Sequence, residues 1–238
     1  MIYLDYSANT PVDEAVLERF CAVERSCPQR ELPPSGRCRR QSRHRRGHAE
    51  HCPQPSCAAG GDHLYIRCQR GQQFCAEEHR PAGASPRQTH HFHPAGHSSV
   101  SGTLTALQEQ GYEIDLVDIK QDGTVDLAHL RELLRPDTIL VAVTAVDSEL
   151  GVVQPVTEIA ALLKDYPHCH LHVDATQAVG KLPLPSFEGI DTLSLTAHKF
   201  YGLNGIGVLV KRRASRWNRS STAARAPPST AAAPHRGA

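Results

Sequence analysis

Three short stretches carry the residue types that chemistry uses. The first is His172-Val-Asp174-Ala-Thr-Gln177, placed where a strand would end. The second is Leu193-Ser-Leu-Thr196-Ala-His198-Lys199-Phe-Tyr-Gly202, at the end of the next strand. The third is His97-Ser-Ser, where a helix would begin. A strand-end Asp followed within about 25 residues by a strand-end His-Lys suits a pyridoxal 5′-phosphate site. The lysine amine forms a Schiff base with the aldehyde. The aspartate pairs with the pyridinium nitrogen and keeps it protonated, so that the ring draws electrons. Taken singly, a strand-end Asp is ordinarily a cap or turn residue and a Lys ordinarily a surface one; the ordered set carries the specificity.

The elements that must position these residues follow a strand–helix rhythm. Residues 2–4 read as a short strand, and Pro11 precedes a helix over 13–21, as a first turn allows. Residues 98–110 have helical spacing and stop at Gly111. Residues 112–119 read as a strand, and 121–123 as a turn. Asp126 is placed to cap a helix through 134. The apolar run 138–144 suits a buried parallel strand. A helix over 156–164 and strands over 170–174, 192–195 and 207–211 complete the series. This alternation predicts an α/β fold with a largely parallel sheet, whose sites lie at the carboxyl ends of the strands. Asp174 and Thr196 fall at such ends.

The chain has 238 residues, with 26 Lys+Arg against 25 Asp+Glu. That balance argues against a generally basic nucleic-acid binder or an acidic tail. Mean hydropathy is −0.40, and no apolar run approaches the roughly 20 residues of a spanning helix. The start, MIYLDYSANTPVDEA, has acids and a proline where a signal peptide has a basic start and an apolar block. A cytoplasmic protein without membrane or nucleic-acid partners is expected. Composition nevertheless divides the chain into four parts. Residues 1–24 and 97–212 are ordinary globular sequence. Residues 25–96 hold twelve Arg, no Lys, six of the eight cysteines and five of Leu, Ile, Val, Met and Phe. Residues 213–238 hold no Leu, Ile, Val or Phe. Segments so poor in apolar side chains cannot offset the entropy of ordering their backbone, so 25–96 and 213–238 are expected to be irregular or disordered.

The globular parts resemble the cysteine desulfurases, in the class V aminotransferase group of fold-type I pyridoxal phosphate enzymes. The resemblance lies in YLDYSANTPVDEAVLE, HSSVSGTLTALQEQGYEIDLVDI, ELGVVQPVTEIA, HLHVDATQAVGKLPL and LSLTAHKFYGLNGIGVLVKR. It implies that Lys199 is the Schiff-base lysine, Asp174 the pyridine-nitrogen partner and Gln177 the donor to the ring O3′. It implies further that His97 stacks on the ring and handles substrate protons, and that Thr196 and His198 bind the cofactor phosphate. Asp147, in Asp147-Ser148-Glu149, stands where many relatives have an asparagine against the ring. A carboxylate there disfavours a phenolate O3′ unless it is protonated or turned away. The resemblance also implies L-cysteine as substrate, an enzyme persulfide, a sulfur-acceptor protein and a homodimer. No metal site is expected.

Two parts of the family pattern are missing. The phosphate-binding loop, SGATEANN-like in relatives, belongs upstream of His97, and the mobile catalytic cysteine beyond residue 212. Cys169 stands just before a strand and reads as a core or edge residue. Both gaps coincide with the unusual compositions, and an out-of-frame reading of 25–96 and 213–238 explains both. Permitted codons for residues 63–79, read one base later, spell IFTSGASEANNFALKN; those for 89–96 spell HIISTPLE. Those for 217–224, read with each codon borrowing the preceding base, spell LEPLIHGG. A chain so altered lacks the loop, the cysteine and the small C-terminal domain, and is expected to be inactive as written.

Other readings make different demands. Another class V enzyme, a selenocysteine lyase or an aminotransferase, would use the same Asp174 and Lys199. A non-catalytic remnant could carry a metal- or nucleic-acid-binding insert. His48, His51, Cys52 and Cys57 have some ligand character, but no paired Cys-x-x-Cys knuckle occurs. RRQSRHRR at 39–46 could touch phosphates but lacks interleaved aromatics. His168, His170 and His172 alternate along one strand and are read as plain strand-edge histidines.

Overall fold

The computed structural model describes residues 3–26, 63–65, 89–92, 105, 107–109, 111–183 and 188–211. Ten helices and strands organise those residues. Helix α1 spans Glu14–Ser26, β1 His63–Tyr65, β2 Thr89–Phe92 and β3 Glu113–Leu116. Helix α2 spans Leu127–Leu133, β4 Thr138–Thr144 and α3 Val156–Leu162, which tightens into a 3-10 turn at Leu163–Asp165. Strands β5 (His170–Asp174), β6 (Thr192–Thr196) and β7 (Gly207–Lys211) follow. The strands form one sheet in the order β1-β7-β6-β5-β4-β2-β3. Pairs β2–β3, β2–β4, β4–β5 and β5–β6 are parallel; β7 runs against both β6 and β1.

The predicted α/β architecture is therefore present, and the apolar run 138–144 is its central support. In β4 five of the seven residues are buried, as expected of a strand covered on both faces. Val141 and Val143 pack with Leu171, Val173 and Leu193 against Leu130, Leu134, Val156, Ile159 and Leu163 of the helical layer. Each fully buried Leu or Ile contributes about 1.5–3 kcal/mol of transfer free energy. On a second cluster, Leu107 covers Ile139 and Leu140 beside Tyr112 and Ile114. Asp126 caps α2 as predicted, its Oδ1 accepting from the N–H groups of Ala128 at 2.8 Å and His129 at 3.4 Å. The buried Gln154 ties two turns together: its Oε1 accepts from the Val125 N–H at 2.9 Å, and its Nε2 donates to the Gly123 carbonyl at 3.0 Å.

Several predicted elements differ. Residues 3–4 form no strand, and none of the described strands pairs with them. The first helix continues to Ser26, beyond the predicted 21. The strand predicted over 112–119 narrows to Glu113–Leu116, and Ile119 instead makes an antiparallel bridge to Val125 across the 121–123 turn. Of the helix predicted over 98–110, residues 105 and 107–109 are helical, and 98–104 lie outside the described residues. The stretch 25–96, expected to be irregular, contributes two strands, β1 and β2. Ladder hydrogen bonds join main chain to main chain, so two short strands enter a sheet despite an apolar-poor sequence around them. The rest of 27–96, and 213–238, lie outside the described residues. No helix among the described residues is long and apolar enough to cross a membrane.

Candidate active site

The parallel register brings the candidate residues together. Thr144 of β4 pairs with Asp174 of β5, and Asp174 pairs with Ser194 of β6, two residues before Thr196. Three neighbouring strands thus end side by side. The chain leaves β5 through 175–183, and β6 through the 3-10 turn Ala197–Lys199 and the loop that returns as β7.

Asp174 is buried, at 7% exposure. Its Oδ1 accepts from the Thr176 N–H at 3.0 Å and the Thr176 hydroxyl at 2.6 Å. Gln177 is also buried, and its Nε2 donates to the Ser7 carbonyl at 3.0 Å. Lys199 Nζ donates to that same carbonyl and, at 2.8 Å, to the carbonyl of Ala8. Lys181 Nζ donates to Gln177 Oε1. Three side chains and two carbonyls from three separated stretches thus form one connected network. Burial holds the Lys199 amine below the usual lysine range, and the nearby Lys181 cation pushes the same way; Asp5 and Asp174 act in the opposite sense. Burial also lowers the proton affinity of Lys181.

Thr196 and His198 adjoin this network. Thr196 Oγ1 lies 3.0 Å from His198 Nδ1 and 3.2 Å from the Ile206 carbonyl, both within hydrogen-bond reach. Burial, then the Lys199 charge, lowers the His198 pKa and favours a neutral ring. A hydroxyl has one proton, so its two neighbours compete. Donation to Ile206 leaves Nδ1–H on the imidazole; donation to Nδ1 places the ring proton on Nε2, the form that donates to an anion. Asp147 is turned into its own loop. Its Oδ1 accepts from the N–H groups of Glu149 at 2.9 Å and Leu150 at 2.6 Å. His97 lies outside the described residues.

Two glycines set the approach of the loops. At Gly180, with φ +76°, a Cβ would stand 2.8 Å from Phe200 Cβ. At Gly202 it would stand 2.6 Å from Ala197 Cβ and 2.9 Å from the Ala197 oxygen. The missing side chain at Gly180 lets the loop after Asp174 touch Phe200 of the loop after β6, and the one at Gly202 lets that second loop fold back on its own Ala197.

The remaining candidates fall elsewhere. Cys169 packs beside the main core, and burial pushes its thiol up to about 12. His170 and His172 are buried within the central strand β5 rather than at an edge. Their Nε2 and Nδ1 each lie 2.9 Å from the Thr192 hydroxyl. Alternation placed them on one strand face, but edge or centre depends on strand order, which local sequence does not encode. No cluster of metal-ligating side chains occurs among the described residues. Sequence reasoning missed the Ser7 and Ala8 carbonyls, Thr10 and Lys181. Lys181 had a signal, four residues beyond Gln177 on the same turn; main-chain acceptors leave none.

Comparison with known proteins bears on the family and the fold. The family described as aminotransferase class-V matches residues 79–223. The chain is 33% identical over 229 residues to cysteine desulfurase IscS of Psychromonas ingrahamii, covering 90% of this chain and 54% of that protein. It is 43% identical over 121 residues to the mitochondrial cysteine desulfurase of Arabidopsis thaliana, covering 50% of this chain and 26% of that one. The solved structure of a NifS-like protein shares the fold, with TM-score 0.84 at 24% identity over 90% of this chain and 59% of that chain. This chain thus spans between about a quarter and a little over half of the curated relatives it matches. With the matched segment containing Asp174, Gln177 and Lys199, the chain belongs to the class V aminotransferase family, and its curated relatives in that family are cysteine desulfurases.

Proposed function

We propose that this chain carries the cofactor-holding part of an enzyme that takes sulfur from L-cysteine, releases alanine and passes the sulfur, through an enzyme persulfide, to an acceptor protein. The observation that carries this reading is the network joining Lys199, Gln177 and Lys181 through the Ser7 carbonyl beside the buried Asp174. The donor set suits pyridoxal 5′-phosphate: a buried carboxylate for the ring nitrogen, an amide for the ring oxygen, an amine of lowered basicity and a hydroxyl–imidazole pair for the phosphate. When bound, this group supplies an aldehyde that condenses with amines and a ring that draws electrons from the substrate Cα.

The protein residues then have distinct tasks. Asp174 keeps negative charge at the strand end, oriented by its two contacts with Thr176. Gln177 is oriented by Lys181 on one side and Ser7 on the other. Lys199 Nζ, less basic than an ordinary lysine, accepts the proton from the substrate Cα. His97, by the family pattern, carries protons to and from the substrate. Asp147, committed to the N–H groups of Glu149 and Leu150, acts as a turn brace and spares the ring an opposing carboxylate.

The same reading treats 25–96 and 213–238 as out of frame and the chain as written as inactive. Its support is positional. Strand β1 covers 63–65, directly before the place where the shifted codons spell SGASEANN, and β2 covers 89–92, where they spell HIIS. A phosphate loop following β1 and a strand beside β4 are what the sheet order accommodates. Neither Cys21 nor Cys169 suits a mobile sulfur carrier: one lies on α1, and the other has a thiol pKa near 12.

Incubation of the full chain with pyridoxal 5′-phosphate, borohydride reduction and peptide mass spectrometry tests the site. A pyridoxyl group at Lys199, absent in Lys199→Ala, is expected; equal labelling of every lysine would refute the assignment. Resequencing the coding DNA around codons 20–30, 94–98 and 210–220 tests the frame. Single-base differences that restore the loop support it, and an unaltered sequence removes it.

A further inference from the structure

Lys199 lies on a loop whose two shoulders are held by one side chain from the far end of the sequence. The Thr10 hydroxyl donates to the His198 carbonyl at 2.9 Å and accepts from the Tyr201 N–H at 2.6 Å. Those two groups flank Lys199-Phe200. The Thr10 main-chain N–H donates to the same His198 carbonyl at 2.9 Å, and the Asp13 N–H donates to the Tyr201 carbonyl at 2.9 Å. Thr10 is 3% exposed, so no water replaces it cheaply.

Tyr201 makes this clasp consequential. Its φ is +64°, the one non-glycine positive value among the described residues. A bulky L-residue in that region costs on the order of 1–3 kcal/mol and persists only where its surroundings over-determine it. Thr10 and Asp13 take up both the N–H and the carbonyl of Tyr201. Pro11 adds to the order by disfavouring a helical Thr10. The same segment provides the Ser7 and Ala8 carbonyls that receive the Lys199 amine. One short N-terminal stretch thus fixes the loop on both sides of the lysine and fixes the lysine tip as well.

We infer that Thr10 is a positioning residue for Lys199: its hydroxyl clasps His198 and Tyr201 so that the amine is presented between them rather than released to solvent. This deepens the proposed function and rests on Lys199 being the reactive amine. Threonine is required at this position for its hydroxyl, which serine shares, and not for its methyl group. Valine keeps the shape and leaves the Tyr201 N–H and one acceptor contact unmet.

The experiment compares the full chain with Thr10→Val and Thr10→Ser by reductive methylation with formaldehyde and cyanoborohydride across pH, read at each lysine by peptide mass spectrometry. The charged groups acting on Lys199 are Lys181, Asp5 and Asp174, Lys199 itself acts on His198, and all are retained in both variants. In Thr10→Val the Lys199 midpoint rises toward the ordinary lysine value, while Lys120 and Lys164 keep theirs. A rise of about half a unit corresponds to roughly threefold slower methylation at pH 8. Thr10→Ser retains the parent profile. An unchanged Lys199 midpoint in Thr10→Val, or an equal shift in Thr10→Ser, overturns the inference. Should Thr10→Val fail to fold, amide exchange in the unsubstituted chain decides: Tyr201 N–H protection of about a hundredfold or more is expected, and free exchange overturns the clasp. Failure of Lys199 to take pyridoxal phosphate overturns the functional reading alone, and the methylation profile still decides on Thr10.

Discussion

Lys199 Nζ and Gln177 Nε2 donate to a single atom, the carbonyl oxygen of Ser7. Neither strand end could hold the pair alone, since Lys199 follows β6 and Gln177 follows β5. A main-chain oxygen from a third stretch sets their separation. Side-chain substitution at Ser7 leaves that acceptor in place, so the relationship is altered through the donors.

Removing the neighbouring cation should make Lys199 more basic. Lys181→Met eliminates one of the two influences that hold the Lys199 pKa down. Its methylation midpoint should rise, with Lys120 unchanged. The sign for stability follows from the same shift. Lys199 has a folded pKa below its unfolded value of about 10.5, so the folded chain sheds this proton first. Its contribution to stability therefore improves as pH rises from the folded value toward 10.5. Lys181→Met should flatten that slope in urea titrations taken at several pH values.

Asp174→Asn should separate charge from structure. The amide oxygen can still accept from the Thr176 N–H and hydroxyl, so the urea midpoint should correspond to a loss of about 1 kcal/mol or less. Retention of pyridoxal 5′-phosphate after dialysis should nevertheless fall about tenfold, because the ring nitrogen loses its anionic partner. Equal retention in both proteins would remove Asp174 from the site.

Cys169 should be inert in the folded chain. With its thiol near 12, almost none is thiolate at pH 8, and the side chain is largely covered. Iodoacetamide at pH 8 should label Cys169 only after urea is added. Rapid native labelling would show that the end of β5 opens.

Gly202→Ala should be costly. The added Cβ meets Ala197 Cβ at 2.6 Å and the Ala197 carbonyl oxygen at 2.9 Å, and the latter belongs to the backbone and cannot rotate away. A loss of about 2–3 kcal/mol is expected from urea denaturation, in the range of overpacked interiors. The loop carrying Lys199 should shift with it, so pyridoxal phosphate labelling should drop as well.

Much of the sheet could be read from the sequence because its strands are marked locally. The run 138–144 is apolar between its two terminal threonines, and His170–Asp174 and Gly207–Lys211 have the predicted bounds. Asp126 announced its helix by a side chain that accepts two of the first N–H groups. What stayed hidden depends on distant partners. The reversal of β7, the central place of His170 and His172, and the entry of β1 and β2 into the sheet follow from strand order. In the site, Asp174, Gln177 and Lys199 stood out as residue types in a family pattern. Thr10 did not, since its importance lies in two main-chain groups nearly two hundred positions away.

That separation has a temporal side. Ser7 and Lys199 lie 192 positions apart, and Thr10 and Tyr201 191. Closing so large a loop is entropically unfavourable, and contacts of this span form late in folding. On a ribosome the N-terminal segment emerges first but has nothing to clasp until β6 and the Lys199 turn have been made. The sheet from β3 to β5 is complete in sequence well before that moment. The reactive end of this protein therefore assembles after the sheet from β3 to β5, and a nascent chain that stalls short of Tyr201 holds that part of the core without a site.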